Sequence, residues 1–223
     1  VISQKNQGLA SALNNGLSKA SGKWIKWFSP DDVMFPNAIE TLVNQIKKFP
    51  DNTIVYSNWE IIDEKGKKIR DFSESDYNNL SEFDYNIRLL DGQQINVNTT
   101  LIPSSLFQKG CIFRNLDDPV AIDYDFFLRA AIFYKIKFFL IQKSLIQYRI
   151  HSKQLSHNNI LSTLNFLEQI KNEILSKLSN DEKFLYSNSL KNYKKTYSLS
   201  KTVMLYGLKL LKILPSNISE RIL

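Results

Sequence analysis

The chain has 223 residues, of which 43% are apolar and 12% aromatic, so it can bury a sizeable core and is not a disordered segment. Its length suits one domain, or one domain with a tail. The net charge is +7, and with one cysteine and two histidines the chain excludes both an internal disulfide framework and a Cys/His zinc constellation.

Cys111 as a lone cysteine points to a reducing compartment. The charge is uneven. Residues 1–150 hold 18 Lys/Arg against 17 Asp/Glu, whereas residues 151–223 hold 11 against 5. Basicity therefore belongs to the tail, which argues against a nucleic-acid-binding body and for a tail near an anionic surface. No apolar run reaches the ~18–20 residues that span a bilayer. Val1–Ser3 reads as the end of a strand rather than the charged head of a signal peptide, so an amino-terminal part of the domain is expected to precede it.

In chain order, Leu9, Leu13, Leu17 and Ala20 recur at helical spacing, with Gly22 as the stop. Trp24–Phe28 is a short apolar run expected to form a strand covered on both faces. It halts at Ser29-Pro30, and Asp31-Asp32 follow. Pro36 opens a helix with an apolar stripe at Ile39, Leu42, Val43, Ile46 and Phe49. Thr53–Ser57 predicts a strand that runs on to Asp63, and Asp63-Glu64-Lys65-Gly66 predicts a hairpin turn into Lys67–Phe72. Ser73–Asp84 is a polar loop. A short helix is expected over Tyr85–Asp91, a strand over Thr99–Pro103 and a helical turn over Ser104–Lys109. A helix over Ile122–Tyr134 should bury Ile122, Phe126, Phe127, Ala130 and Phe133. Ile136–Gln142 and Leu145–Ile150 alternate as two strands. His151–Asn159 connects to helical segments up to Leu214. Strand and helix alternate throughout the body, which predicts an α/β domain with a mixed sheet.

Three groups carry chemistry. Asp31-Asp32 is either a solvated turn in which Asp31 caps a helix, or a pair whose repulsion is relieved by a divalent cation. Hard oxygen ligands suit Mg²⁺ or Mn²⁺. Asp123 and Asp125 stand in the first turn of a helix, as caps favoured by its dipole or with Asp123 as a general base. Arg129, four residues after Asp125, can pair with it on the helix face. Arg149 and His151 share one face of a strand and its continuation, and both side chains can bind phosphate; His151 is equally a structural hydrogen-bonding residue.

Taken in order, these groups resemble glycosyltransferase family 2 of the GT-A fold. The resemblance runs through Asn6-Gln7-Gly8-Leu9-Ala10, Ala12-Leu13-Asn14-Asn15-Gly16-Leu17 and Ala20-Ser21-Gly22-Lys23-Trp24-Ile25. It continues in Phe28-Ser29-Pro30-Asp31-Asp32 with Pro36, in Asp123 to Arg129, and in Tyr148-Arg149-Ile150-His151. It departs from the family at Ser29, Ile122 and Leu13, where many members carry Asp, Glu and Arg.

The resemblance implies an α/β, GT-A-like (Rossmann-like) mixed sheet flanked by helices over residues 1–156, lacking its amino-terminal nucleotide-binding segment. A helical, basic region would follow over residues 157–223. It implies an inverting transferase that moves a sugar from a nucleotide-sugar donor to a saccharide or lipid-linked acceptor. Asp123 would be the catalytic base and Asp32 the ligand of Mg²⁺ or Mn²⁺. Asp31 would lie near the donor ribose, and His151 and Arg149 near the diphosphate. Acceptor recognition is expected in Ser73–Gly92. Lys201–Leu214, apolar with spaced lysines, can rest on an anionic membrane surface or pack on the body, which sets the protein in the cytoplasm or at the inner membrane face. The rival reading is a GT-A-like domain that associates without catalysis.

Overall fold

The structure is a computed structural model that describes residues 1–92, 95–152 and 160–211, with 160–162 and 196–211 described by their backbone. The chain divides into two compact units, Val1–Lys177 and Leu178–Leu223. In the first, helix α1 (Leu9–Lys19) leads to β1 (Trp24–Ile25), β2 (Val33–Met34) and α2 (Ala38–Ile46). The hairpin β3 (Thr53–Ile62) and β4 (Lys68–Phe72) comes next, then α3 (Glu82–Asp91), β5 (Ile102–Pro103) and α4 (Ser104–Gln108). α5 (Ile122–Tyr134), β6 (Lys137–Arg149) and α6 (Ile160–Ser176) complete it. The second unit is built on α7 (Asn180–Leu211), one continuous helix. The tail segment Lys201–Leu214 falls within it as far as Leu211; residues 212–214 lie outside the described residues, as do 153–159 of the connector. No described helix is long and apolar enough to cross a membrane.

The sheet is mixed, in the order β2-β6-β3-β4. β3 and β6 run parallel, while β2 on β6 and β4 on β3 are antiparallel. β3 is buried along almost its whole length, as expected of a central strand covered by helices on both sides. Where two strands are expected over 136–150, β6 is one strand: its pairing to β3 skips from Ile141 to Ser144, so a bulge absorbs the polar Gln142-Lys143 break. β1 and β5 form a separate two-stranded ribbon, tied to the sheet by a bridge between Leu101 and Val55.

One face of the sheet is covered by α2. Its Ala38, Leu42 and Ile46 pack with Val55, Trp59 and Ile61 of β3 and Leu145 and Ile146 of β6. Each leucine, isoleucine or valine among them contributes roughly 1.5–3 kcal/mol when fully buried. Ile39, expected in this stripe, is exposed, because the helix begins after Asn37 rather than at Pro36 and its buried face is set by Ala38. Trp24–Phe28 does not make a full buried strand. Only Trp24–Ile25 pair, half-buried, because the partner strand β5 is itself two residues long. Val1–Ser3 carries no strand.

α5 is buried on nearly all sides rather than along a stripe: Tyr124 and Leu128 are as inaccessible as Phe126 and Phe127, while Phe133 is exposed. A helix apolar all round is a core helix. It packs its rings against Phe113 and Phe138, with centroid separations of 4.6 Å for Phe126–Phe113 and 6.0 Å for Phe127–Phe138. Asp125, fully buried in this helix, binds Arg129 at 2.8 Å and Arg114 through Nε at 3.0 Å. Arg114 continues to Glu173 of α6 at 2.6 Å. The Asp125–Arg129 pair expected on the helix face is therefore interior.

Hydrogen bonds from Arg114 and then Lys177 hold the Glu173 carboxyl down at about 2. A depressed carboxyl stabilises the fold above its unfolded value near 4.5, and that contribution disappears as pH falls from there towards 2. Urea unfolding across that window should show a shallower loss of stability in Glu173→Gln than in the wild type. Equal slopes would mean that the ion pair does not persist in solution.

The loop after β4 is organised by buried polar groups. Glu74 binds Arg88 of α3 at 3.1 Å and accepts from the Tyr56 hydroxyl, which lies 2.9 Å from that of Tyr85. Burial raises the Glu74 carboxyl despite the neighbouring Arg88. Further on, the Asn78 carboxamide bonds both main-chain groups of Leu140, accepting its N–H at 2.7 Å and donating to its carbonyl at 3.0 Å.

Candidate functional site

Parallel pairing sets the carboxyl ends of β3 and β6 at one level, with Ile62 beside Arg149. In open α/β sheets this end is where ligands bind. Two turns meet there. One is the Asp63–Gly66 turn of the β3–β4 hairpin, tightened by Asp63, whose Oδ1 accepts from the N–H groups of Lys65 and Lys67 at 2.9 and 2.8 Å. The other is the acidic turn. β2 carries it in, because Val33 pairs antiparallel with Gln147 and so places Asp32 against Arg149.

Asp32 is buried. Its Oδ1 accepts the Arg149 N–H at 2.9 Å and its Oδ2 accepts from Asn98 Nδ2 at 2.5 Å. Burial pushes its carboxyl up, and those two hydrogen bonds pull it back. Lys26 stands close by. Its ammonium donates to the carbonyls of Asn98 and Trp27, and burial lowers it to about 7 against the pull of Asp32. Asp31 is more exposed, and its Oδ2 lies 3.7 Å from His151 Nε2.

The Arg149 guanidinium is bound to main-chain carbonyls: Asp31 through Nε at 2.8 Å, and Asp63 and Glu64 through one terminal nitrogen at 3.1 Å each. It staples the acidic turn to the hairpin. Ser152 N–H, three residues on, donates to the Glu64 carboxylate at 3.2 Å. Four expected site residues, Asp31, Asp32, Arg149 and His151, thus come together. Asp123 lies on another element, half-buried in the first turn of α5, where its Oδ1 accepts the Tyr124 N–H at 2.7 Å.

The donor set suits one kind of metal. Among the described residues no group of three His, Cys, Asp or Glu side chains could enclose an ion. An ionised carboxylate offers about four lone-pair sites, and the contacts to Asp32 use two. That fits Mg²⁺-like coordination by one or two carboxylates, with water and phosphate completing the sphere, rather than a protein cage.

The cavity beside Ser73–Gly92 lies elsewhere. About 280 Å³ in volume, it is lined by Tyr77, Asn78, Ser81, Tyr85 and Lys137. Lys137 starts β6 and Arg149 ends it. At about 3.3 Å per residue, that is roughly 40 Å of strand between them.

Sequence reasoning missed Asn98, Lys26 and Glu64. Asn98 had a signal. Asn96-Val97-Asn98-Thr99-Thr100 is a polar run beside an apolar strand, and Asn98, Thr99 and Thr100 are all buried. Buried polar groups need partners: Thr99 and Thr100 donate to the Asn96 and Val97 carbonyls, and Asn98 reaches the acidic turn.

Residues 1–108 match the sequence family described as Glycosyl transferase family 2. An uncharacterized glycosyltransferase of Rickettsia prowazekii is 32% identical over 83% of this chain and 58% of its own length. One of Rickettsia felis is 31% identical over 95% of this chain and 38% of its own. The chain thus spans about half or less of these relatives. In three dimensions it is similar to Staphylococcus aureus TarS 1–349 in complex with UDP-GlcNAc, with a TM-score of 0.57 at 12% identity, covering 92% of this chain and 58% of that one. The UDP complex of the same protein gives a TM-score of 0.52 at 11% identity, over 89% and 54%.

Proposed function

Because residues 1–108 place this chain in glycosyltransferase family 2 and its fold is of the GT-A type, we propose that it transfers a sugar from a nucleotide-sugar donor to an acceptor hydroxyl with inversion, in cell-surface polysaccharide or glycolipid synthesis. One observation carries this reading: a buried carboxylate, held by neutral donors beside an exposed one, at the shared carboxyl end of two parallel strands. The TarS complex with UDP-GlcNAc supports a donor of nucleotide-sugar class.

Asp32 would hold Mg²⁺ or Mn²⁺, with Asp31 beside it near the donor ribose. When bound, the metal supplies positive charge to the donor diphosphate as negative charge develops on it. His151, at the same turn, donates to the departing diphosphate. Arg149 fixes the acidic turn through the Asp31 carbonyl. Asp123 accepts the proton of the acceptor hydroxyl. The new bond forms from that oxygen to the anomeric carbon as the bond from that carbon to the diphosphate oxygen breaks, and the electron pair leaves with the nucleoside diphosphate. A single displacement from the opposite face inverts the centre.

UDP affinity of the full-length protein, measured with Mn²⁺ and again with EDTA, tests the metal end. The wild type should bind more tightly with Mn²⁺, and Asp32→Ala should lose that difference. A Mn²⁺ dependence unchanged in Asp32→Ala removes Asp32 from the role.

A further inference from the structure

Asn98 connects three parts of the acidic turn. Its Oδ1 accepts the Ser29 N–H at 2.9 Å, its Nδ2 donates to Asp32 Oδ2 at 2.5 Å, and its carbonyl receives the Lys26 ammonium. Its own N–H is tied to Asn96 Oδ1 at 3.0 Å, within the 3-10 turn capped by that residue. The carboxamide orientation is fixed by chemistry, because Ser29 N–H can only donate and an ionised Asp32 can only accept. A hydrogen bond to a charged acceptor at a buried site is stronger than one between neutral groups.

The consequence is directional. Asn98 holds Asp32 Oδ2, the Arg149 N–H holds Oδ1, and the carboxylate plane is set between them. Lys26 holds Asn98 in turn through the main chain. Neither residue lies in the acidic pair, and the link from Asn98 to Asp32 spans 66 positions of sequence.

We propose that Asn98, braced by Lys26, is the positioning residue that aims Asp32 at the metal–diphosphate. This rests on the donor-site reading above. Outer partners that orient a ligating carboxylate cost roughly 10–100-fold in metal affinity when removed.

The test has two arms. In the first, UDP binding by the full-length protein is measured with and without Mn²⁺ for the wild type and Asn98→Ala. The Mn²⁺-dependent affinity should fall about tenfold or more, while binding in EDTA is unchanged, a split that general loosening of the fold would not produce. Equal Mn²⁺-dependent affinities overturn the proposal. The second arm reads thermal midpoints alone. Asn98→Asp sets a second carboxylate against Asp32 and should lower the midpoint. Adding Asp32→Asn inverts the pair: the new amide donates to the new carboxylate, and both backbone N–H contacts are kept. The inverted pair should recover the midpoint without recovering Mn²⁺ dependence. Failure to recover overturns the Asn98–Asp32 clip. If the wild type shows no Mn²⁺-dependent UDP binding, the donor-site reading falls and takes the aiming role with it, while recovery in the inverted pair still establishes the clip itself.

Discussion

Asp125→Ala is expected to destabilise the first unit strongly, lowering the thermal midpoint by roughly 10 °C for a loss of about 3–5 kcal/mol. The reason is what remains behind. Asp125 is fully buried and faces two guanidiniums, Arg129 at 2.8 Å and Arg114 at 3.0 Å. Arg114 has a second partner in Glu173, but Arg129 is nearly buried, and its other contacts are the Ile112 carbonyl and the Cys111 sulfur. Removing the carboxylate strands positive charge against the aromatic interior of α5. Asp125→Asn keeps the shape and one acceptor and should fall between the two. Urea or thermal unfolding of the three proteins decides the matter, and a midpoint within 2 °C of wild type in Asp125→Ala, about the effect of 1 kcal/mol or less, would show that the arginines find other partners.

Asp123→Asn should behave in the opposite way. Two residues earlier on the same helix, Asp123 is only half-buried, and an amide oxygen still accepts the Tyr124 N–H, so stability should change far less than in Asp125→Ala. As the proposed base it should nevertheless lower turnover by about 10²–10⁴-fold. UDP affinity should not move, because the proposed diphosphate end is formed by the acidic turn and β6. Steady-state transfer by the full-length protein, measured with a panel of nucleotide sugars beside the thermal midpoint, separates the two effects. Turnover near that of the wild type would end the assignment of Asp123. No turnover in the wild type, with intact UDP binding, would favour the reading of a domain that binds without catalysis.

The contrast between these two aspartates shows what can be read from residue order. Asp123-Tyr124-Asp125 presents two carboxylates near a helix start, and periodicity sets both there. Which one faces inward depends on Arg114 and Glu173, brought from 11 residues upstream of Asp125 and from another helix. The acidic turn is similar. Its place after a short apolar run was legible, and so was the β3–β4 hairpin, because Asp63–Gly66 carries its own turn chemistry. That Arg149 would bind carbonyls was not legible, since a guanidinium suits phosphate and main-chain oxygen equally well. Asn98 was hidden for a different reason. Nothing local distinguishes a buried asparagine from a surface one until its distant partners are known.

The bond pair between Asn78 and Leu140 bears on how the sheet ends. Among the described residues β2 covers β6 only at Ile146 and Gln147, so the earlier part of β6 has no described strand on that side. An uncovered strand offers a row of donors and acceptors that another chain can pair with. The Asn78 carboxamide sits where the next strand's peptide group would be and occupies both bonding groups of Leu140. The polar loop that carries it is thus a guard against edge-to-edge association, and one asparagine there does what charged or bulged edges do in other sheets.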